Sequence, residues 1–536
     1  MDLTPDHSTL LLPFKISSPS GAQPLRTGIV MEGQQTAPWV EALLKFLNQI
    51  PGIDLFQTSL SIDAAPAAKR PGWLIDRLYK ASRAKFDPFG DPASHTMDGN
   101  ASLDDIRAAG CDVIIWLAGS QFPDVKLSGL AKHGVFTVRW GAGNHAIPFW
   151  KEVANNSVTS FATIYWHDHS LAQGRDVQSA ELSSSPGLYI TLNAEQPLIA
   201  AIRMLASLLL EIQSDGPRFA GRAKRIEPQP LPVGLPPDYP SDCETARFAA
   251  GKLMRSAYRR WATRDKSAKW FISIRPNRSQ SITDQSRIHL QGLQEVPLPN
   301  GVEAMADPFL WEAGGRHYLL FEEVARSKTR GRLACVEILK NGAYSEMKII
   351  LDKPYHLSYP CVIPENGELF LLPEAAEAKR VEMYRFTKFP WEMEHVATAI
   401  DGVALVDTTP IFIDGTWYFF TTTQEPFMET LLFCSSRLEG PWKLHPSNPV
   451  SLSVKNSRSA GQLFWKDGRL YRPTQDCSVC YGYAVVVNEV TKLTPTEFEE
   501  GMVSYIPPTW SANLLGTHTW NENSAFQVVD GIRYAQ

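Results

Sequence analysis

The stretch YPCVIPENGELFLLPE, residues 359–374, is an apolar run, an Asn-Gly turn and a second apolar run that ends on a carboxylate. Asn-Gly between two apolar runs is a strong short-range signal for a β-hairpin. The same layout recurs in DPFLWEAGGRHYLLFEE (307–323), DTTPIFIDGTWYFFTTT (407–423) and AGQLFWKDGRLYRPTQD (460–476). Each predicts a strand, a turn that contains glycine and an aromatic strand, so the four hairpins form one repeat.

The spacing of the repeat indicates the architecture. The aligned aromatic residues Tyr318, Phe370, Tyr418 and Tyr471 are 52, 48 and 53 residues apart. A period near 50 built from short strands is typical of a β-propeller with one four-stranded blade per repeat. A fifth unit is predicted at 516–531, and the strand AKWFISIRP (268–276) is expected to complete that blade and close the ring. A β-sandwich of irregular hairpins is the alternative.

The first half of the chain has a different pattern. Strand-like runs such as CDVIIWLAG (111–119) and HGVFTVRWG (133–141) alternate with helical stretches such as PWVEALLKFLNQI (38–50), up to a closing helix at 197–213. This alternation predicts an α/β domain with a mostly parallel sheet.

The predicted organisation is therefore two domains, α/β and then all-β. A tail at 1–24 precedes the α/β domain at 25–213. A Pro-rich connector with one helix near 243–261 is expected at 214–267, and the five-bladed propeller at 268–536. A chain of 536 residues is longer than one hydrophobic core usually serves, in agreement with two domains.

Composition excludes several classes of function. The net charge is −5 and no basic block is present, so we expect no nucleic-acid partner. No run of about 18 apolar residues occurs, so we expect no transmembrane segment. The seven cysteines are odd in number and scattered, which favours a reduced protein of the cytoplasm.

Polar residues recur where the repeat would bring them together. In a propeller the innermost strands line the central channel, so equivalent positions converge on the axis. The positions before the inner strands and at the ends of the second strands are mainly acidic and polar: Asp307, Tyr359, Asp407, Arg458, His518, Glu322, Glu323, Glu374 and Asp476. Paired carboxyls in such a place are what glycosidic-bond chemistry requires, one protonated and one ionised.

A purely structural role is the alternative for each of these residues, because an aspartate at a strand start often caps a turn. The pattern predicts no metal cluster and no cofactor. A carboxylate-lined channel can nevertheless hold a divalent cation such as Ca²⁺ through oxygen ligands.

The second half resembles a known module. The segments ADPFLW, LSYPCV, LLPEA, FPWEME, DTTPIF, GPWKLHPSNPV, SRSAGQLF, YRPTQDCSVCYG and GTHTWN carry the resemblance. They are similar to the propeller of glucosamine inositolphosphorylceramide transferases and, more distantly, to family-43-type glycoside hydrolases. The glycosidase resemblance implies that Asp307 is a base, Glu374 the general acid and Asp407 the residue that tunes their protonation. The convergence of the repeated positions, apart from this resemblance, predicts substrate contacts by Glu323, Tyr359, Arg458, Asp476 and His518.

The first half is similar to the Rossmann-like formyltransferase fold, through AAGCDVIIWLAGSQFPDVKLSGLAKHGVFTVRWG (108–141) and the segments that follow. That family uses Asn, His and Asp in catalysis, and this chain has Thr137, Arg139 and Ala172 at the corresponding positions. Arginine stays protonated and alanine has no polar group, so neither can deprotonate an attacking amine. The resemblance therefore implies a degenerate formyltransferase-like domain.

Together these patterns predict a carbohydrate-active protein of glycan, polysaccharide or glycolipid biosynthesis. It would act on a sugar, sugar-lipid or nucleotide-sugar at the propeller mouth by glycosyl transfer or glycosidic cleavage. Two alternatives stay open: a saccharide-binding propeller without catalysis, and a formyl- or acyltransferase for an amino sugar. The patterns do not predict the oligomeric state.

Overall fold

The structure is a computed structural model. It describes residues 23–32, 37–60, 71–88, 102–117, 129–141, 147–168, 173–184, 188–229, 239–262, 267–277, 287–424 and 428–534. The chain divides into two compact units, Met1–Ala262 and Thr263–Gln536.

The first unit is built on one mixed sheet. Its elements are β1 (Leu25–Glu32), α1 (Pro38–Leu47), β2 (Ile53–Leu60), α2 (Trp73–Arg83), α3 (Leu103–Ala108), β3 (Val113–Trp116), β4 (Val135–Trp140), α4 (Trp150–Asn155), β5 (Thr159–His167), β6 (Gly174–Ser183), a 3-10 turn (Ile190–Ala194), α5 (Glu195–Lys224), β7 (Pro228–Gln229) and α6 (Asp242–Ala262). The strand order is β2-β1-β3-β4-β5-β6-β7.

Strand direction changes halfway across this sheet. Strands β2, β1, β3 and β4 pair in parallel, whereas β4–β5, β5–β6 and β6–β7 pair antiparallel. All four residues of β3 are buried, as expected of a parallel strand that is covered on both faces. The sheet is thus parallel only in its first half, and the formyltransferase-like identity of this unit stays a prediction.

Helix α5 extends beyond its predicted end at 213. Asp215 has non-helical backbone angles (φ −158°, ψ 79°). Its carboxylate accepts the backbone N–H of Arg218, as an N-cap does, and Pro217 lies in the first turn that follows. A second helical segment therefore starts where the apolar pattern ends, and it continues to Lys224.

The predicted connector contains further packed structure. Strand β7 pairs with β6, and α6 begins at a capping box in which Ser241 and Glu244 exchange hydrogen bonds. Helix α6 also contacts α2. Much of the described part of 214–267 is therefore helix or strand of the first unit.

One segment of this unit has the length and composition of a membrane span. Within the described residues, Ile190–Lys224 contains a window with a mean hydropathy of 1.4. Of that window 67% is buried in the fold, which the core helix of a globular domain also shows. The sequence pattern did not predict a segment of this length and composition.

The second unit is a five-bladed propeller. Blade one is β10 (Val302–Ala313), β11 (Arg316–Ala325), β12 (Arg332–Ile338) and β13 (Lys348–Leu351). Blade two is β14 (Ser358–Glu365), β15 (Glu368–Glu374), β16 (Arg380–Lys388) and β17 (Glu392–Asp401). Blade three is β18 (Leu405–Ile413), β19 (Thr416–Thr423), β20 (Thr430–Ser435) and β21 (Lys443–Leu444). Blade four is β22 (Arg458–Ser459), β23 (Phe464–Lys466), β24 (Arg469–Asp476), β25 (Ala484–Leu493) and β26 (Phe498–Ile506).

Blade five closes the ring with strands from both ends of the unit. It combines β27 (Leu514–Gly516), β28 (Trp520–Glu522) and β29 (Phe526–Tyr534) with β8 (Ala268–Pro276) and β9 (Gln294–Glu295). Strand β8 pairs antiparallel with β29 along its whole length, and β10 contacts both β14 and β28. The predicted five blades and the closing role of 268–276 are confirmed.

Candidate functional site

The first strands of blades one, two and three share one irregularity. Asp307, Tyr359 and Asp407 have φ angles of 50°, 49° and 49°, in the left-handed region. At each of them the inner strand has one residue more than its partner strand, which is a β-bulge. A left-handed backbone is uncommon for residues other than glycine, and such strain recurs at functional sites. The three residues thus lie within the inner strands, and not before them as the sequence pattern predicts.

Two of these residues enter an acidic cluster, and the third does not. Tyr359 is fully buried, and its hydroxyl bonds with the Thr409 hydroxyl and with the backbone of Gly461. Tyr359 therefore joins blades two, three and four through partners that lie 50 and 102 residues away along the chain. These contacts give Tyr359 a structural role, and its contact with a substrate stays a prediction.

Asp407 is held by a buried ion pair. Arg458 Nε lies 2.6 Å from Asp407 Oδ2, and Gln475 Nε2 donates to the same oxygen at 3.2 Å. The Arg458 guanidinium also lies 3.5 Å from Glu374 Oε2. Blades two, three and four thus bring together the predicted residues Glu374, Asp407 and Arg458.

The environment of Glu374 favours its protonated form. Burial is the largest cause that raises its pKa well above the usual value, and the charge of Asp407 adds to it. Arg458 acts in the opposite direction but does not outweigh them. A hydrogen bond with Asp407 raises the pKa further, since only a protonated Glu374 can donate it.

A second buried group surrounds Asp307. His518 Nδ1 lies 2.6 Å from Asp530 Oδ2, and His518 Nε2 lies 3.7 Å from Asp307 Oδ1. Thr519 donates its hydroxyl to Asp307 at 2.7 Å. Burial, partly offset by His518 and then increased by Asp407 and Asp530, raises the pKa of Asp307 to about 6. Burial alone would lower the pKa of His518, but the carboxylates of Asp530 and Asp307 raise it overall.

Glu322, and not its neighbour Glu323, joins the cluster. Burial and then the charges of Asp307, Glu374 and Asp407 raise the pKa of Glu322 well above its usual value. Glu323 pairs instead with Arg332, whose Nε and a terminal nitrogen both bond to its Oε2. Successive side chains of a strand point to opposite faces, so only one of the two glutamates can face the axis. Glu322 is thus the member of the pair that belongs to the cluster, and substrate contact by Glu323 stays a prediction.

Asp476 also has partners elsewhere. Its carboxylate accepts the N–H of Ser478 and the hydroxyl of Tyr505. It thus shapes the loop after β24, and within the described part of the chain its hydrogen bonds lead away from the acidic cluster. The sequence pattern aligned it with Glu374, but Gln475 stands at the position of β24 that corresponds to Glu374, and Asp476 lies one residue beyond it.

An aromatic rim stands beside the cluster. Tyr481 is 43% exposed, and its ring lies 4.9 Å from the Arg458 guanidinium carbon. It meets His518 edge-on at 5.6 Å, and Trp270 stacks on His518 at 3.9 Å. Sequence reasoning missed Tyr481, Trp270, Gln475 and Asp530. Gln475 follows Tyr471 at the same spacing at which Glu374 follows Phe370, so the repeat itself could have indicated it. The one sequence signal for Tyr481 is that it lies in the segment YRPTQDCSVCYG, close to the predicted site residue Asp476.

Three of these groups could hold a metal ion. Asp307, His518 and Asp530 each present one ligand atom, and these atoms lie within 4.8 Å of one another. An ion here would compete with the short contact between His518 and Asp530. The divalent cation in the channel stays a prediction, and Asp307 and Asp530 are the oxygen donors in this group.

The degenerate formyltransferase positions are partly described. Thr137 and Arg139 lie on β4, and Ala172 lies outside the described residues. The Thr137 hydroxyl donates to the Trp116 carbonyl, and Arg139 forms an ion pair with Asp176. Both side chains are thus engaged within the sheet.

The acidic cluster should make the stability of the propeller depend on pH. The pKa of Asp307 is raised to about 6 and those of Glu322 and Glu374 lie well above their usual values. The folded state therefore binds more protons than the unfolded state, so stability is lost as pH rises through these pKa values. We expect calorimetric unfolding between about pH 5 and pH 8 to show this decline.

A double variant tests the cause of that decline. Glu322→Gln with Glu374→Gln has no glutamate to ionise in the cluster, so most of the decline should disappear. Glu368→Gln, at an exposed position of the same hairpin as Glu374, should behave like the unmodified chain. Equal slopes in all three proteins would show that the buried glutamates do not cause the effect.

The second unit is similar in sequence to a family of known proteins. Residues 295–529 match the sequence profile of the family described as "Glucosamine inositolphosphorylceramide transferase 1, N-terminal". The enzyme of that name from Oryza sativa subsp. japonica is 37% identical over 204 residues, which are 37% of this chain and 27% of the relative. The one from Arabidopsis thaliana is 32% identical over 227 residues, 40% of this chain and 29% of the relative. The predicted resemblance of the second half to this transferase module is confirmed, although the chain spans under a third of these relatives.

Solved structures with similar chain folds include glycoside hydrolases. A family 117 glycoside hydrolase of the marine bacterium Zobellia galactanivorans is 13% identical with a TM-score of 0.32, covering 49% of this chain and 90% of its own. An exo-β-1,3-galactanase from Clostridium thermocellum is 13% identical with a TM-score of 0.33, covering 45% and 64%.

Proposed function

We propose that the propeller acts on a sugar at its mouth and cleaves or transfers a glycosidic bond by paired carboxyl groups. The observation that carries this proposal is the acidic cluster itself. Glu374 is kept protonated beside the Asp407–Arg458 ion pair, while the pKa of Asp307 is raised to about 6. Two carboxyls of one site that have different charged neighbours are suited to separate acid and base roles.

In the proposed reaction Glu374 donates its proton to the leaving glycosidic oxygen as the bond from that oxygen to the anomeric carbon breaks. Asp307, ionised above about pH 6, accepts the proton of the attacking water or acceptor hydroxyl, whose oxygen bonds to the anomeric carbon. Burial and the neighbouring Asp407 keep Glu374 in its protonated state, and Arg458, 3.5 Å away, helps to position it. The exposed ring of Tyr481 offers an apolar face for a sugar ring.

The substrate class in this proposal follows from the relatives. Their name describes transfer of glucosamine to inositolphosphorylceramide. We extend to this chain only a role in glycolipid or polysaccharide synthesis in the cytoplasm, on a sugar, sugar-lipid or nucleotide-sugar. Recognition of a sugar by the propeller is the part of this extension that the acidic cluster and the aromatic rim support.

Saccharide binding without catalysis is the second candidate. It is favoured by the burial of two members of the cluster, since Asp307 and Asp407 are only 5% and 1% exposed. Both also have hydrogen-bond partners within the protein. Carboxyls in this state could serve to shape and charge a binding surface.

Asp307→Asn separates the two candidates. The full chain and the variant would be assayed against aryl glycosides and nucleotide-sugars for turnover, and on a glycan array for binding. For a catalytic base we expect turnover to fall by about 10²-fold or more, with binding retained. Saturable binding by both proteins without turnover by either would favour the binding role, and neither binding nor turnover would contradict both candidates.

A further inference from the structure

A groove in the first unit has the chemistry of a separate ligand site. It has a volume of about 730 Å³ and lies between α4 and α6, with Tyr239 and Pro240 at one end. Small-molecule sites usually measure about 300–1,000 Å³. The proposed function of the propeller does not involve this groove, and the inference below does not rest on it.

One stripe of α6 forms one wall of the groove. Glu244, Arg247, Phe248, Gly251 and Arg255 line it, and spacings of three and four residues place them on one face of the helix. Gly251 stands in the middle of this stripe, where glycine costs about 1 kcal/mol relative to alanine. An added Cβ there would come within 3.3 Å of the Arg255 guanidinium. The glycine therefore keeps the groove open beside Arg255.

Aromatic side chains form the floor. Trp150 of α4 and Phe248 of α6 meet edge-on at 5.1 Å and are almost fully buried. Tyr239 is half-buried beside them, and Met254 at the margin is exposed. A planar group that entered the groove would thus meet aromatic and thioether surface.

Cations outnumber anions along the same groove. Lys151, Arg247 and Arg255 line it and are exposed, and Glu244 is the one acidic residue in the lining. The Glu244 carboxylate already accepts hydrogen bonds from the backbone and hydroxyl of Ser241. The groove therefore has an excess of positive charge beside an aromatic floor.

We propose that this groove binds a nucleoside diphosphate group. The base would lie against Tyr239 and Met254, beside the edges of Trp150 and Phe248 that line the groove. The phosphates would bond with Arg247, Arg255 and Lys151. Arginine recognises phosphate oxygens with paired N–H donors. An apolar ligand would leave the three cations unused, and a simple inorganic anion would leave the aromatic floor unused.

The test is calorimetric titration of the full chain with uridine 5′-diphosphate and adenosine 5′-diphosphate, with uridine and inorganic pyrophosphate for comparison. We expect saturable binding of both diphosphates, weaker binding of pyrophosphate and none of uridine. Arg247→Ala with Arg255→Ala should weaken the diphosphates about tenfold or more. Arg225→Ala is the matched control, because Arg225 is exposed in the same unit and does not line the groove.

A second variant tests whether binding depends on the shape of the groove as well as on its positive charge. Gly251→Leu fills the groove and keeps all three cations, so it should also abolish binding, whereas Gly251→Ala should weaken it less. The proposal is overturned if neither diphosphate binds, or if the groove variants bind as tightly as the control. It is equally overturned if pyrophosphate binds as well as the nucleotides, since the aromatic floor would then have no role.

Discussion

Glutamine at position 374 is expected to lower kcat by about 10²–10⁴-fold on substrates with poor leaving groups. The amide of Glu374→Gln keeps the size and neutrality of the protonated acid, so the variant should fold normally. It has no acidic proton to give to a departing sugar oxygen. Aryl glycosides with strongly acidic phenols need little protonation and should lose far less activity, which is the signature of a missing general acid.

The pH dependence of kcat/KM gives a second measure of the same role. For the unmodified chain we expect a bell-shaped profile with an acid limb near the pKa of Asp307, about 6, and an alkaline limb from Glu374. Glu374→Gln should remove the alkaline limb and leave the acid limb.

Glu368→Gln provides the control for this experiment. Glu368 lies on the same hairpin but pairs with Arg385 at an exposed position, so activity and profile should not change. Retention of full kcat by Glu374→Gln on unactivated substrates would exclude Glu374 as the acid. Glu322, the other cluster glutamate with a raised pKa, would then be the next residue to test.

Asparagine at position 530 is expected to lower the free energy of unfolding of the propeller by about 3 kcal/mol. Asp530 is completely buried in β29 and accepts the backbone N–H groups of Asp307, His518 and Thr519. Its carboxylate also pairs with the His518 ring. These contacts join the last blade to the first. In the variant, an amide NH₂ group would replace one carboxylate oxygen and would face backbone N–H groups, from which it cannot accept a hydrogen bond.

Urea unfolding of the full chain, followed through the propeller transition, measures this effect. Asp401→Asn is the matched control, because Asp401 is an exposed strand residue whose ion pair with Arg380 is worth little; its effect should stay within about 0.5 kcal/mol. An equally small effect of Asp530→Asn would show that blade closure does not depend on this carboxylate.

The sequence predicted the fold of the second unit better than its site. Aromatic residues at steps near 50 and a strand at 268–276 were sufficient for five blades and a closed ring. Asp307, Glu374, Asp407, Arg458 and His518 were also predicted to converge, and the structure brings them together. These successes share one cause, because a repeat carries equivalent positions to equivalent places around an axis.

The differences between the predicted group of residues and the observed cluster have another cause. To choose between Glu322 and Glu323, one must know which face of the sheet each side chain points to at the end of β11. A shift of one residue in the strand register exchanges the two faces. Tyr359 stands at the same position of its blade as Asp307 and Asp407, with the same left-handed bulge, yet its hydroxyl bonds within the wall. Asp530 and Tyr481 occupy positions that the other repeats do not share, so no pattern pointed to them.

By itself, therefore, the sequence determined the architecture and the region where polar groups gather, since both depend on periodic hydrophobic and turn residues that are local along the chain. Tertiary structure alone decided which carboxyls share the site and which states of protonation they favour. Those properties depend on burial and on contacts such as that of Asp307 with Asp530, which are 223 residues apart. No local pattern encodes a distance of that kind.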